Sequence, residues 1–183
     1  MNLLHSCRAR AIAVALGAVL LLSVAAPVSA ADQARPLSGH DVGYAPIEYL
    51  NPEAPAHGCP VGSMFFATMQ STGNLAHLGR VTMTYAHCAS GNWGTGAGWT
   101  TASGSLTIVA ANGDQLILSY DMEFQLEMPS MATATGTLDW EVTGGTGRFA
   151  HPSGSGENTN YVVYNSTLTG GVLSSDWTGT IAY

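Results

Sequence analysis

Between Gly98 and Glu127 the chain reads GWTTASGSLTIVAANGDQLILSYDMEFQLE, and few folds accept such a stretch. Leu116, Leu118, Tyr120, Met122, Phe124 and Leu126 fall on one side of a period of two. Gln115, Ser119, Asp121, Glu123, Gln125 and Glu127 fall on the other, with Ile117 the single exception. That alternation marks a half-buried strand. Asn112-Gly113 is a strong hairpin cue. A two-residue loop would split the apolar residues of the first arm between both faces. A three-residue loop, Ala111 to Gly113, pairs Ile108 with Leu116, Leu106 with Leu118, Gly104 with Tyr120, Ala102 with Met122 and Thr100 with Phe124. One face is then apolar, with small residues opposite large ones, and Gly113 takes a left-handed backbone. An arm this long needs partner strands, because a lone hairpin is marginal in water.

The remainder of the chain supplies them. Met64–Gln70 reads as a first strand, Ser71–Asn74 as a turn, and Arg80–Cys88 as a strand with Val81, Met83, Tyr85 and His87 on one face. Ser90–Gly98, which contains Trp93, reads as a loop. Thr135–Thr143 sets Leu138, Trp140 and Val142 against Thr137, Asp139 and Glu141. Gly144–Gly147 reads as a turn, Arg148–Ala150 as a short strand and Pro152–Gly156 as a loop. Asn160–Thr169 and Trp177–Tyr183 read as closing strands joined by Gly170–Asp176. Five prolines between Pro36 and Pro60 make residues 31–62 read as an extended arm. Seven or eight short strands with glycine turns predict an all-β barrel or sandwich. The closed barrel is favoured because the long arms lack Lys or Pro to blunt an open edge.

Residues 1–30 read as an export signal. Arg8 and Arg10 precede an apolar run from Ala11 to Ala26, and Val28-Ser29-Ala30 is a small-residue cleavage site. The run is short for a membrane span, and Cys7 lies ahead of it, where a lipidated cysteine would follow. Cleavage after Ala30 predicts a secreted or periplasmic protein with no stable membrane anchor. It leaves 153 residues with three arginines, no lysine and all twelve acids, a formal charge of −9. Such a surface argues against nucleic acid and other polyanions as partners. Export makes a Cys59–Cys88 disulfide the expected state of the two remaining cysteines. The alternative, a zinc site with His57 and His87, is disfavoured because His87 and Cys88 are strand neighbours and point to opposite faces.

No G-x-S-x-G elbow or H-E-x-x-H motif is present, and no cofactor motif is found. Gly144-Gly-Thr-Gly147 has no lysine or helix to cradle a phosphate, so it reads as a tight turn. Asn165-Ser166-Thr167 fits a glycosylation acceptor but falls inside a predicted strand.

Three motifs occur in order: Asn74-Leu-Ala-His77-Leu78-Gly79-Arg80, Ala110-Ala-Asn-Gly-Asp114 and Gly144-Gly-Thr-Gly-Arg-Phe149. Together they resemble bacterial secreted proteins with an allene oxide cyclase barrel-like domain, and the last is distantly similar to plant dirigent proteins. The resemblance covers residues 63–183 and implies an eight-stranded antiparallel, calycin-like barrel with an apolar lumen. In the plant families such barrels steer a reactive intermediate by shape. The matched motifs are turns and strand starts, not catalytic residues.

On this fold the lumen candidates are Met83, Tyr85, Leu118, Tyr120, Met122, Phe124 and Trp140. A small barrel can be filled by such side chains or can hold one ligand, and both fit this lining. Asn74, His77 and Arg80 are candidates for the barrel mouth, where they would grip a ligand carboxylate. Turn chemistry and an Arg80–acid bridge account for them without a ligand. The leading functional expectation is binding of an apolar small molecule. The alternatives are a cyclase or isomerase acting by confinement, a filled structural module, and an outer-membrane barrel. Asp121, Glu123 and Glu127 are expected to face outward, which leans against acid–base chemistry in the lumen.

Overall fold

The computed structural model describes residues 33–49, 57–91 and 98–183. The predicted signal therefore lies outside the described residues, as does most of the loop that contains Trp93. Eight strands form among the described residues: β1 (Arg35–Tyr49), β2 (Phe65–Leu75), β3 (Gly79–Gly91), β4 (Trp99–Ala110), β5 (Gln115–Leu126), β6 (Thr133–Gly145), β7 (Ser153–Tyr164) and β8 (Gly170–Ala182). Each is antiparallel to both neighbours, and β8 returns to pair with β1, so the sheet is a closed up-and-down barrel.

The organising hairpin has the register its pattern demands. Ile108 faces Leu116, Leu106 faces Leu118, Gly104 faces Tyr120, Ala102 faces Met122 and Thr100 faces Phe124. Gly113 has φ 88° and donates its N–H to the Ala110 carbonyl at 2.9 Å. The exception at Ile117 coincides with a bulge: the β5–β6 register slips between Ile117 and Leu118. Thr143, the extra residue, donates its hydroxyl to the Ile117 carbonyl at 3.2 Å. The expected disulfide is also formed, with Cys59 and Cys88 5.5 Å apart at Cα.

Several boundaries differ from expectation. Residues 31–62 are not simply an arm, because Arg35–Tyr49 is the strand that closes the barrel. The barrel therefore begins well before residue 63. Ser71–Asn74 continues β2, and the turn falls at Ala76–Leu78, where His77 has φ 67°. Arg148–Ala150, read as a strand, belongs to a 3-10 turn over Gly147–Phe149. Pro152–Gly156 lies largely in β7, and Gly170–Asp176 in β8. β7 stops at Tyr164, so Asn165–Thr169 is an exposed turn in which the Asn165 side chain accepts the Thr169 N–H at 3.0 Å. In most of these cases glycine and serine suggested a loop. In the barrel they occupy strands that curve tightly or pack closely on a neighbour.

Two of the resemblance motifs meet at one end of the barrel. Asp114 Oδ2 accepts from Asn112 Nδ2 at 2.7 Å and from the Arg148 N–H at 3.3 Å. A Cβ on Gly147, whose φ is 60°, would lie 1.8 Å from Asp114 Oδ1. Phe149 is thereby turned into the core, with its ring 4.7 Å from that of Tyr183, and the Arg148 guanidinium lies over it. This end of the lumen is plugged. Gly147→Ala is expected to lower unfolding stability by about 1–3 kcal/mol, through the left-handed backbone and the lost carboxylate seat. Urea unfolding measures it; a change below about 0.5 kcal/mol would contradict this role for the turn.

Candidate functional site

Period-two alternation decides which side chains reach the lumen. Met83, Tyr85, Leu118, Tyr120, Met122 and Trp140 all point inward and are buried, and Phe124 is half-buried towards the end opposite Phe149. Gly104 makes room for this wall: a Cβ there would lie 2.7 Å from His87 Cβ. Asn74, His77 and Arg80 do not join them. Asn74 and Arg80 face each other across β2 and β3 on the exposed outer wall. His77 sits in the turn at the plugged end, where its carbonyl accepts the Tyr183 hydroxyl at 3.5 Å. Asp121, Glu123 and Glu127 are exposed, as their register requires.

A cavity of about 40 Å³ lies at the opposite end of the lumen. Phe65, Met69, Met122, Phe124, Leu126 and Val162 give it an apolar wall, and His87 is among its few polar lining residues. His87 Nδ1 lies 2.8 Å from the Tyr120 hydroxyl, and the His87 ring meets Tyr120 and Phe65 edge-on. Burial disfavours the imidazolium and lowers the His87 pKa to about 4, so the ring is neutral at physiological pH. The same burial raises the Tyr120 phenol and keeps it protonated. His57, the other histidine of the rejected zinc set, stacks on Phe66 at 4.1 Å.

Deeper in the lumen the wall changes character. Asp41 on β1 is fully buried, and its Oδ1 accepts the Trp177 indole N–H at 2.7 Å. Its Oδ2 has no hydrogen-bond partner among the described residues, and neither does Ser71 Oγ. Desolvation raises the Asp41 pKa above 3.8; the Ser71 and Tyr85 hydroxyls, which lie close to the carboxylate without a well-formed hydrogen bond, together with the Trp177 N–H and the charge of His40, pull it back only in part. Asn158, Asn160 and Ser175 are also buried, and Ser175 donates to Asn160 Oδ1 at 2.9 Å. The Trp140 and Trp177 rings approach at 5.9 Å. Tyr85 and Tyr120, whose rings lie 6.1 Å apart, join this polar sector to His87 and the cavity. Buried polar atoms without partners are uncommon and are typical of sites that hold water or a ligand.

Sequence reasoning missed Asp41, Asn158, Asn160 and Ser175. The middle of β1 is inside-out, with Gly39, Asp41 and Gly43 inward and Val42 and Tyr44 outward, whereas in β7 and β8 the buried Asn158, Asn160 and Ser175 interrupt an otherwise apolar inner face. A search for apolar alternation assigns such a strand to the wrong face or misses it. The available signal was the strand count, since an eight-stranded barrel needs a strand from before residue 63.

No family model matches the chain, and no curated protein matches it. Among solved structures, that of a pterocarpan synthase dirigent protein aligns with 82% of this chain and 87% of its own at 12% identity, with a TM-score of 0.43. The closure of the barrel rests on its own strand ladders.

His87 and Asp41, both buried, give opposite pH dependences. The unfolded chain protonates His87 near 6.5 and the folded protein near 4, so the unfolded state gains protons first as pH falls. Stability should therefore drop between those values, by on the order of 3 kcal/mol at most, and His87→Gln should flatten the drop. Asp41 behaves conversely, because its folded pKa is raised. Relative to Asp41→Asn, the parent protein should lose stability as pH rises above 3.8. Thermal unfolding across pH measures both; parallel profiles for parent and variants would contradict the burial of these groups.

Proposed function

We propose that this chain is an exported barrel of the allene oxide cyclase-like kind, which takes the apolar end of a small molecule into the open end of its lumen. The observation that carries this reading is the apolar cavity with a neutral His87–Tyr120 pair beside it. Its volume, about 40 Å³, accepts a few methylene groups and is far below the ~300–1,000 Å³ of a pocket that engulfs a whole ligand. Met69 and Met122 are unbranched and polarizable, so the wall can adjust to an entering chain or ring. The His87–Tyr120 pair offers one hydrogen-bonding point to orient it. The outer wall of β5 and β6 carries Asp121, Glu123, Asp139 and Glu141, the reverse of the lipid-facing apolar band of a membrane barrel.

Asp41 favours a second reading. A buried carboxyl group with a raised pKa and one oxygen without a well-formed hydrogen bond is equipped to exchange a proton with a confined substrate. Binding alone does not need it. Under this reading the barrel isomerises what it binds, with confinement fixing the shape and Asp41 moving the proton.

Native mass spectrometry of protein purified from its own source tests both. The binding reading expects a retained small molecule in the parent and its loss in Met122→Trp, which fills the cavity. An empty parent protein would contradict it. If Asp41→Asn retains a compound of the same mass but different chromatographic retention, the barrel is an isomerase; an identical compound in parent and variant rejects catalysis by Asp41.

A further inference from the structure

The strands that turn polar groups inward turn apolar groups outward. Val42 and Tyr44 on β1, Val172 on β8, and Tyr161 and Val163 on β7 are each about half exposed. The ladders place them in two rows. Tyr44, Val172 and Val163 stand side by side across β1, β8 and β7, and Val42, Ser174 and Tyr161 form the next row. Together they expose on the order of 400 Å² of mostly apolar surface, comparable with the largest patch on a typical monomer. Thr72 and Gln70 flank the array on β2, and Thr133 and Thr135 flank it on β6. Two acids border the array: Asp176, one row away, whose Oδ1 is 2.9 Å from His40 Nδ1, and Glu127, whose carboxylate accepts the hydroxyl of the flanking Thr133.

We propose that this face binds a second copy of the chain around a two-fold axis running along β8. The arrangement of the array selects that occupant. Tyr44 and Tyr161 stand at opposite corners, and Val42 and Val163 at the other two. A copy rotated about an in-plane axis along β8 sets Tyr44 on the partner's Val163 and Tyr161 on the partner's Val42. Val172 then meets its own counterpart, and Ser174 does the same. Each large ring falls on a small side chain, which is the self-complementarity an isologous contact requires. An axis across the strands would instead press Ser174 onto Val172. Charge points the same way. The chain has a formal net charge of −7, so two copies repel except through a face without unpaired acids. β5 and β6 carry exposed acids, whereas the β7–β8–β1 array carries none. The patch is about half the ~800 Å² that each partner contributes to a standard interface, so the contact belongs with the small, weak ones.

Sedimentation velocity of the exported protein across the micromolar range tests this, with Val172→Glu and Val172→Cys as variants. Val172 is outward, so neither variant opens the core, and circular dichroism checks the fold. The parent is expected to dimerise, and Val172→Glu to raise the dissociation constant at least tenfold. Val172→Cys should form a dimer held by a disulfide on oxidation, while the parent under the same conditions should not. A parent that stays monomeric throughout overturns the proposal, as does a monomer whose patch is covered by a different protein. A Val172→Glu variant that dimerises as the parent does also overturns it.

Discussion

Pairing of β1 with both β2 and β8 is the constraint on which this molecule depends. Without that strand, β2 and β8 would present unpaired edges along their length, and the sheet would have no enclosed interior. With it, every strand has two neighbours and the apolar faces of β2 to β6 look into one shared core. The same strand brings the only buried carboxyl group into the described part of the lumen. Fold closure and the most reactive-looking side chain thus come from one fifteen-residue segment.

The interior is consequently two-sided. The β3–β6 wall is mainly apolar, with Tyr85, His87, Thr100 and Tyr120 as its polar members. The β7–β8–β1 wall carries Asn158, Asn160, Ser175 and Asp41. Burying those groups is unfavourable unless they are bonded, and they are bonded only in part. Trp177 supports one oxygen of Asp41, Ser175 supports Asn160, and the side chain of Asn158 is unpartnered among the described residues. A core built for stability alone would place apolar residues at these positions. The inversion also explains the outer surface, since a strand that alternates must expose on one face what it withholds from the other. Interior polarity and the exposed apolar array are two consequences of one sequence pattern.

How much was legible follows from the same physics. The β4–β5 register could be read to the residue because a slip would have exposed an entire apolar face, and Asn112-Gly113 fixed the turn. Met83, Tyr85, Leu118, Tyr120, Met122 and Trp140 were assignable to the lumen for that reason. β1 was not, because Gly39, Asp41 and Gly43 are polar or small where a core strand is expected to be apolar, and its prolines suggested an arm. The short strand assigned to Arg148–Ala150 filled the vacancy in the count. His77 and Arg80 drew attention through charge, yet the turn at residues 76–78 places them away from the lumen. His87 was placed on the face of Met83 and Tyr85 but not among the lumen candidates, because its bond to Tyr120 joins residues 33 apart and had no local signal.

Native-state hydrogen exchange of the β1 amides tests this account most directly. If β1 closes the barrel, the amides from Leu37 to Gly43 that pair with β2 and β8 should exchange as slowly as those of β4 and β5, through global unfolding. Rapid exchange across β1 in a protein whose β4–β5 hairpin stays protected would mean an open sheet with a solvated Asp41, and would contradict the enclosed site described above.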